Sequence, residues 1–171
     1  MAERLHMAFY SVGGLRGKMA HDRGITIDEL NRLGENDPTT DTSVDDYQKY
    51  LGEHEDQFVI EGRLSWHFIP HSFKVLLTCD VKEAARRIYE AKKALHEERF
   101  DEPEYANPEE VEQAIISRTH SDISRYQKYY KIDYRNPSHF DAVIDTTTNK
   151  NAEETMQQIL NAVKERSSSI K

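Results

Sequence analysis

The sequence predicts an α/β protein built on a parallel sheet with flanking helices, and three observations predict it. Short apolar runs rich in branched and aromatic residues stand at Phe58-Val-Ile60, Phe73-Lys-Val-Leu-Leu77 and Phe140-Asp-Ala-Val-Ile144, with Met7-Ala-Phe-Tyr10 a weaker fourth. Charged stretches of helical pattern separate these runs. Strands joined through helices require crossover connections, and crossovers place neighbouring strands parallel.

The elements follow in order. Ser11-Val-Gly-Gly-Leu-Arg16-Gly-Lys18 invites a phosphate-loop reading, but that loop needs G-x-x-x-x-G-K-[ST] after a strand. Gly13 and Gly17 have one residue too few between them, and Met19 stands where the metal-binding hydroxyl belongs. The stretch reads instead as a turn into a helix, with Arg16 pointing into a cleft. Thr26-Ile-Asp-Glu29 carries the pattern of a capping box, which starts the next helix. Thr42 to Leu51 continues helical. Val81 to Glu98 reads as a charged helix. Asn107-Pro108-Glu-Glu opens another, with proline in its first turn beside two acids, and this helix runs through Arg125 towards Tyr130. The last helix runs from Asn151 to about Glu165, ahead of a frayed Ser167-Ser-Ser tail. His96 to Asn107, acidic and broken by Pro103, reads as a surface loop or a lid.

At 171 residues with no internal repeat, the chain suits one domain spanning residues 1–171. Its net charge of −8 argues against non-specific nucleic-acid binding, which needs a basic stripe. A local arginine pocket for a mononucleotide is compatible with that charge. No apolar run approaches the ~20 residues of a membrane span, and Met1 to Met7 has no apolar signal-peptide core. The single cysteine, Cys79, permits no internal disulfide and fits a reducing cytoplasm; it reads as a strand-end residue rather than a reactive thiol.

In parallel α/β sheets ligands bind at the carboxyl ends of the strands. Three stretches fall there: Glu61-Gly62-Arg63, Thr78 to Asp80, and Asp145-Thr146-Thr-Thr148. Glycine at 62 allows a turn and a close approach of ligand to backbone. Arg118, Asp122 and Arg125 are four and three residues apart, so they share one helix face. Two readings stay open: an ion-pair ladder, or two arginines aimed at a phosphoryl group with Asp122 fixing one of them. Guanidinium is planar, permanently charged and able to grip phosphate oxygens bidentately. Trp66 is core or pocket wall. His67 and His71 have metal-like spacing, but Pro70 breaks the helix that would align them, and no metal site is expected. Tyr126, Tyr129, Tyr130 and Tyr134 read as packing residues.

With these residues laid out, the chain resembles a cytidylate kinase of the archaeal-type branch of the P-loop nucleoside monophosphate kinases. The stretches that carry the resemblance are SVGGLRGKMAHDRGITIDELN, VIEGRLSW, KVLLTCDVKEAARRI, RTHSDISRYQKYYKID and FDAVIDTT. It implies a three-layer P-loop kinase fold and transfer of the γ-phosphate of ATP, with Mg²⁺, to CMP or dCMP. Residues of about 14–55 would form the acceptor-binding helical subregion, with Arg16 on the acceptor's phosphate and Asp45 also on the acceptor. Gly62 and Arg63 would contact the acceptor nucleotide. Arg118, Asp122 and Arg125 would be catalytic, bracketing the phosphates as a lid-like segment of about 92–118 closes. Asp145, Thr146 and Asn149 would lie near the ATP base.

Two departures set further expectations. Members of that branch begin with a strand and a glycine-rich phosphate loop before the SVGG block, whereas Met1 to Leu5 here resembles the end of the helix after that loop. The first strand is therefore expected to be missing, with activity impaired, stability poor, and a monomer expected of a longer reading frame. Leu64 follows Gly62-Arg63 where the common bacterial enzymes carry Asp, which leaves base and sugar preference open. The competing readings are a kinase for AMP or another small acceptor, and a non-catalytic nucleotide-binding or interaction protein.

Overall fold

The computed structural model describes residues 1–37, 39–95 and 104–169. Its elements alternate in chain order: α1 (Ala2–Leu5), β1 (Ala8–Ser11), α2 (Val12–Asp22), α3 (Ile27–Gly34), α4 (Thr39–His54), β2 (Phe58–Glu61), α5 (Ser65–Phe68), β3 (Val75–Thr78), α6 (Val81–Leu95), α7 (Pro108–Tyr130), β4 (Ala142–Asp145) and α8 (Ala152–Ser169). A single 3₁₀ turn over Pro137–His139 precedes β4.

The branched and aromatic runs form strands because their side chains fit a half-buried pleated surface. Both pairings are parallel. β1 pairs β2 with Ala8 opposite Phe58 and Ser11 opposite Glu61. β3 pairs β4 with Val75 opposite Ala142 and Thr78 opposite Asp145. The expected single sheet is thus seen as two parallel pairs among the described residues. The β1–β2 pair ends next to Gly62 and Arg63, and the β3–β4 pair ends at Asp145, next to Thr146.

The helix starts are set by local chemistry. Ser11 caps α2 by accepting from the Gly14 N–H at 2.9 Å. Thr26 and Glu29 form the expected capping box on α3, with Glu29 accepting from the Thr26 N–H at 2.8 Å and Thr26 from the Glu29 N–H at 3.2 Å. Asn107 caps α7 through the Glu110 N–H at 2.9 Å, with Pro108 next in line where no N–H is needed. One expectation is corrected: α8 continues to Ser169, so the serines at 167–169 belong to the helix and not to a frayed tail. Of the acidic stretch expected as loop or lid, residues 96–103 lie outside the described residues.

Two apolar clusters hold the helices. Ala20, Ile27 and Leu30 lock α2 to α3. Leu64, Tyr126 and Tyr134 join the turn after β2 to α7, with Phe68, Ile123, Tyr130 and Ile132 packed around them. Tyr126, Tyr130 and Tyr134 are therefore packing residues, with Tyr126 and Tyr134 edge-to-face at 5.3 Å, whereas the Tyr129 hydroxyl donates to the Glu35 backbone oxygen at 3.0 Å. Trp66 stacks on His139 at 4.3 Å, tying α5 to the turn before β4. Among the described residues no helix is long and apolar enough to cross a membrane.

Candidate functional site

A buried helix face normally carries apolar side chains. The buried face of α4 carries instead Thr40, Asp41, Asp45 and Gln48 beside Val44 and Leu51. Burying a carboxylate is costly unless it is paired, and the partners of these acids outline the site. Arg16, delivered by α2 immediately after β1, donates to Asp41 from Nη1 and to the Asn31 side-chain oxygen from Nη2 at 3.0 Å. Arg125, on α7, is 2 % exposed. Its Nη2 donates to Asp122 at 2.8 Å, and its Nε lies 3.3 Å from the second oxygen of Asp41. Arg125 Nη1 also reaches the Asn31 backbone oxygen at 3.3 Å. Arg63, delivered at the end of β2, pairs with the other oxygen of Asp122.

Three guanidiniums thus share two carboxylates, and an excess of positive charge remains. Burial holds the Arg63 guanidinium below its ordinary value, and the neighbouring positive charge of Arg118 lowers it further. Burial likewise lowers Arg16, with Asp41 opposing the shift. A phosphate dianion would relieve that crowding of like charge, which is the chemistry the arrangement is fit for.

The network opens on a cleft of about 730 Å³ between α3 and α7, walled by Asn31, Arg32, Arg118, Ser121, Arg125 and Lys128. Arg118 and Arg125 line it together. Arg16 does not: it is buried beside Asn31 and Asp41, so the expectation that it points into the cleft is corrected. Asp122, wholly buried, bridges Arg63 to Arg125. Among the described residues no partner is seen for the Arg118 Nε.

Asp45 sits one turn beyond Asp41 and accepts from the Tyr130 hydroxyl. Burial pushes its carboxyl up to about 6, Asp41 adds to the rise, and the hydrogen bond from Tyr130 opposes it. The same burial and the Asp45 carboxylate push the Tyr130 hydroxyl up. Gly62 is fixed by space: a Cβ there would lie 2.3 Å from Ser65 Oγ and 2.7 Å from a Val12 methyl.

Asp145, Thr146 and Asn149 stand apart from the arginine cluster, on the loop after β4. Asp145 accepts from the Thr147 hydroxyl at 2.5 Å and from the Thr147 N–H at 2.9 Å, and together they hold its carboxyl below the usual range. Thr146 Oγ donates to the Thr78 oxygen at 2.8 Å. Asn149 bonds Thr155 at 2.9 Å and Gln158 at 2.9 Å. One Arg87 nitrogen donates to three carbonyls of this loop, those of Thr146, Thr147 and Asn149, at 2.8–3.0 Å. Glu83 steadies Arg87 from the preceding turn at 2.8 Å.

Sequence reasoning missed Asn31, Asp41, Arg87 and Tyr130 as parts of these assemblies. A signal existed for two of them. Asn31 and Asp41 fall at the buried phase of their helices, with Ile27 and Leu30 on one and Val44 on the other, where a polar residue needs a reason.

Comparison with known proteins bears on the identity of the cleft. The family model described as "Cytidylate kinase-like family" matches residues 1–148. The chain is 32% identical over 147 residues to the cytidylate kinase of Methanocella arvoryzae, covering 86% of this chain and 77% of that relative. It is 30% identical over 164 residues to the cytidylate kinase of Archaeoglobus fulgidus, covering 95% of this chain and 84% of the relative. The matched residues take in the arginines of the buried network and the Asp41 and Asp122 that share them, and with the extent of the family match they make this chain a member of the cytidylate kinase-like family.

Proposed function

We propose that this protein is a nucleoside monophosphate kinase that takes CMP or dCMP as acceptor and ATP as donor. The observation that carries the reading is the convergence of Arg16, Arg63 and Arg125 on Asp41 and Asp122, with Arg118 alongside and a surplus of positive charge. The cleft beside them is large enough for a nucleotide, since small-molecule sites run to about 300–1,000 Å³.

In this reading Arg118 and Arg125 hold the acceptor's phosphate from the cleft wall, Arg63 joins them from the end of β2, Arg16 sets the network from behind through Asp41 and Asn31, Gly62 allows the approach and Asp45 faces the nucleoside. A phosphate monoester has its second pKa near ~6, so at neutral pH the acceptor is already a nucleophilic dianion and needs no general base. One of its oxygens forms a bond to the γ-phosphorus of ATP while the bond to the β–γ bridging oxygen breaks. Positioning and charge stabilisation are what the protein supplies. The arginines offset repulsion between the two anions, and Asp122 keeps Arg63 and Arg125 aimed. Asp145, Thr146 and Asn149 form the neighbourhood of the ATP base, on a loop that Arg87 holds rigid.

ATP chemistry of this class uses Mg²⁺, bound through substrate phosphates and one or two protein groups. Among the described residues no three His, Cys, Asp or Glu side chains gather as a cation site. An ion carried mainly by the substrate phosphates needs no such cluster.

The two parallel strand pairs are read as parts of one sheet in a three-layer kinase fold. Residues of about 14–55 serve as the acceptor-binding subregion, which fits the positions of Arg16, Asn31, Asp41 and Asp45, and about 92–118 serve as its lid. A small-nucleotide kinase of this kind works in the cytoplasm. Calorimetric titration with CMP, dCMP and AMP, followed by a phosphorylation assay with ATP, tests the proposal. Saturable binding of CMP with weaker AMP supports it. Tighter binding of AMP moves the acceptor to another nucleotide, and binding of none of them overturns it.

A further inference from the structure

We infer that Asn31 is a positioning residue of the phosphate site, fixing Arg16 and Arg125 through its side-chain oxygen and offering its amide N–H to the bound phosphate. The inference rests on the reading of the arginine cluster as a phosphate site. Asn31 is 5 % exposed and sits on α3 between the core residue Leu30 and the cleft, whose wall it joins. Its Oδ1 accepts from Arg16 Nη2 at 3.0 Å and lies 3.5 Å from Arg125 Nη1. Two guanidiniums on one atom settle which end of the amide faces them, because an N–H has no acceptor to meet there. The Nδ2 is thereby turned away from both cations, and it has no partner among the described residues.

A buried amide nitrogen without an acceptor is unfavourable, and native cores rarely keep one without a use. A mere spacer between two arginines would be better served by a carboxylate, which would pair with both. Asparagine gives up that pairing. What it retains is a site with surplus positive charge and one neutral donor, and both features suit an anion that arrives from the cleft.

The test is Asn31→Asp, which keeps the shape and adds the carboxylate. Hydrogen bonds to charged groups are worth roughly tenfold or more in affinity. The variant is therefore expected to melt at or above the wild-type temperature, yet to bind CMP and inorganic phosphate at least about tenfold more weakly. In the kinase assay KM for CMP rises while KM for ATP holds. A purely structural role would move affinity and melting temperature together. Wild-type affinity in a folded Asn31→Asp protein overturns the inference. If that variant does not fold, Asn31→Ala carries the test: a clear loss of CMP affinity in the folded protein supports the inference, and unchanged affinity overturns it. A wild-type protein that binds neither CMP nor phosphate refutes the phosphate-site reading itself, and the inference with it.

Discussion

Asp45→Asn separates the cost of a buried acid from its use. The Asp45 carboxyl is raised from 3.8 to about 6, chiefly by burial, with Asp41 adding and Tyr130, Lys49 and Arg16 opposing. Its pKa in the folded protein exceeds that in the unfolded chain. The folded state therefore holds the extra proton between the two values. Stability from this group is present below the unfolded pKa and is lost as pH rises through about 6. At about 1.4 kcal/mol per pKa unit, the ionised carboxylate costs the fold on the order of 3 kcal/mol at neutral pH. Asparagine keeps an oxygen for the Tyr130 hydroxyl and carries no charge. Denaturant titrations of both proteins from pH 4 to 8 should show curves that coincide at the acid end and diverge through pH 6, with the variant ahead by up to about 3 kcal/mol. In thermal melts this is roughly 5–10 °C for a chain of this size. The same substitution should weaken CMP binding, a trade of function for stability. An equal increment at every pH, or a variant less stable at pH 7, would refute the reasoning.

Three further outcomes follow from the same packing. Gly34→Ala would place a Cβ 2.9 Å from Thr40 Oγ1 and 3.1 Å from Arg125 Nη1, both belonging to buried side chains; overpacking of about 1–3 kcal/mol should exceed the helix-propensity gain of about 1 kcal/mol, and melts with CMP titration will read a loss of both stability and affinity. Arg125→Lys keeps the charge but cannot serve Asp122, Asp41 and Asn31 together, so a loss of about 1–3 kcal/mol is expected in denaturant titration, as for buried hydrogen-bonding groups left unmatched. Arg87→Ala frees three loop carbonyls at once; KM for ATP should rise several-fold while CMP affinity measured without ATP stays put.

Much of the fold was legible because its signals are local. Thr26 and Glu29 are three residues apart, Asn107 caps a helix beginning at the next residue, and each strand has adjacent branched or aromatic residues at its centre. The arginines were legible as residue types suited to phosphate. Their partners were not, because Arg16 meets Asp41 across 25 positions and Arg125 meets Asn31 across 94. Ion pairs of that separation are products of the tertiary fold, and helical spacing does not encode them. The ladder suggested by Arg118, Asp122 and Arg125 illustrates this: the i,i+3 pair forms, but the second oxygen of Asp122 goes to Arg63 on another element. The extent of α8 was missed because serine is a weak helix former but not a helix stop.

The unbroken course of α7 through Arg118, Asp122 and Arg125 carries a consequence for how this segment can change in length. The two arginines are seven positions apart, close to two full turns, so both look into one cleft. Adding or removing one residue between them would swing one guanidinium about 100° around the helix and shift it about 1.5 Å along it. No side-chain rearrangement at Thr119, His120, Ile123 or Ser124 would restore the alignment. Substitution at His120 or Ser124 leaves this alignment in place, whereas insertion and deletion do not. Length variation belongs outside the two arginines, towards the ends of the helix.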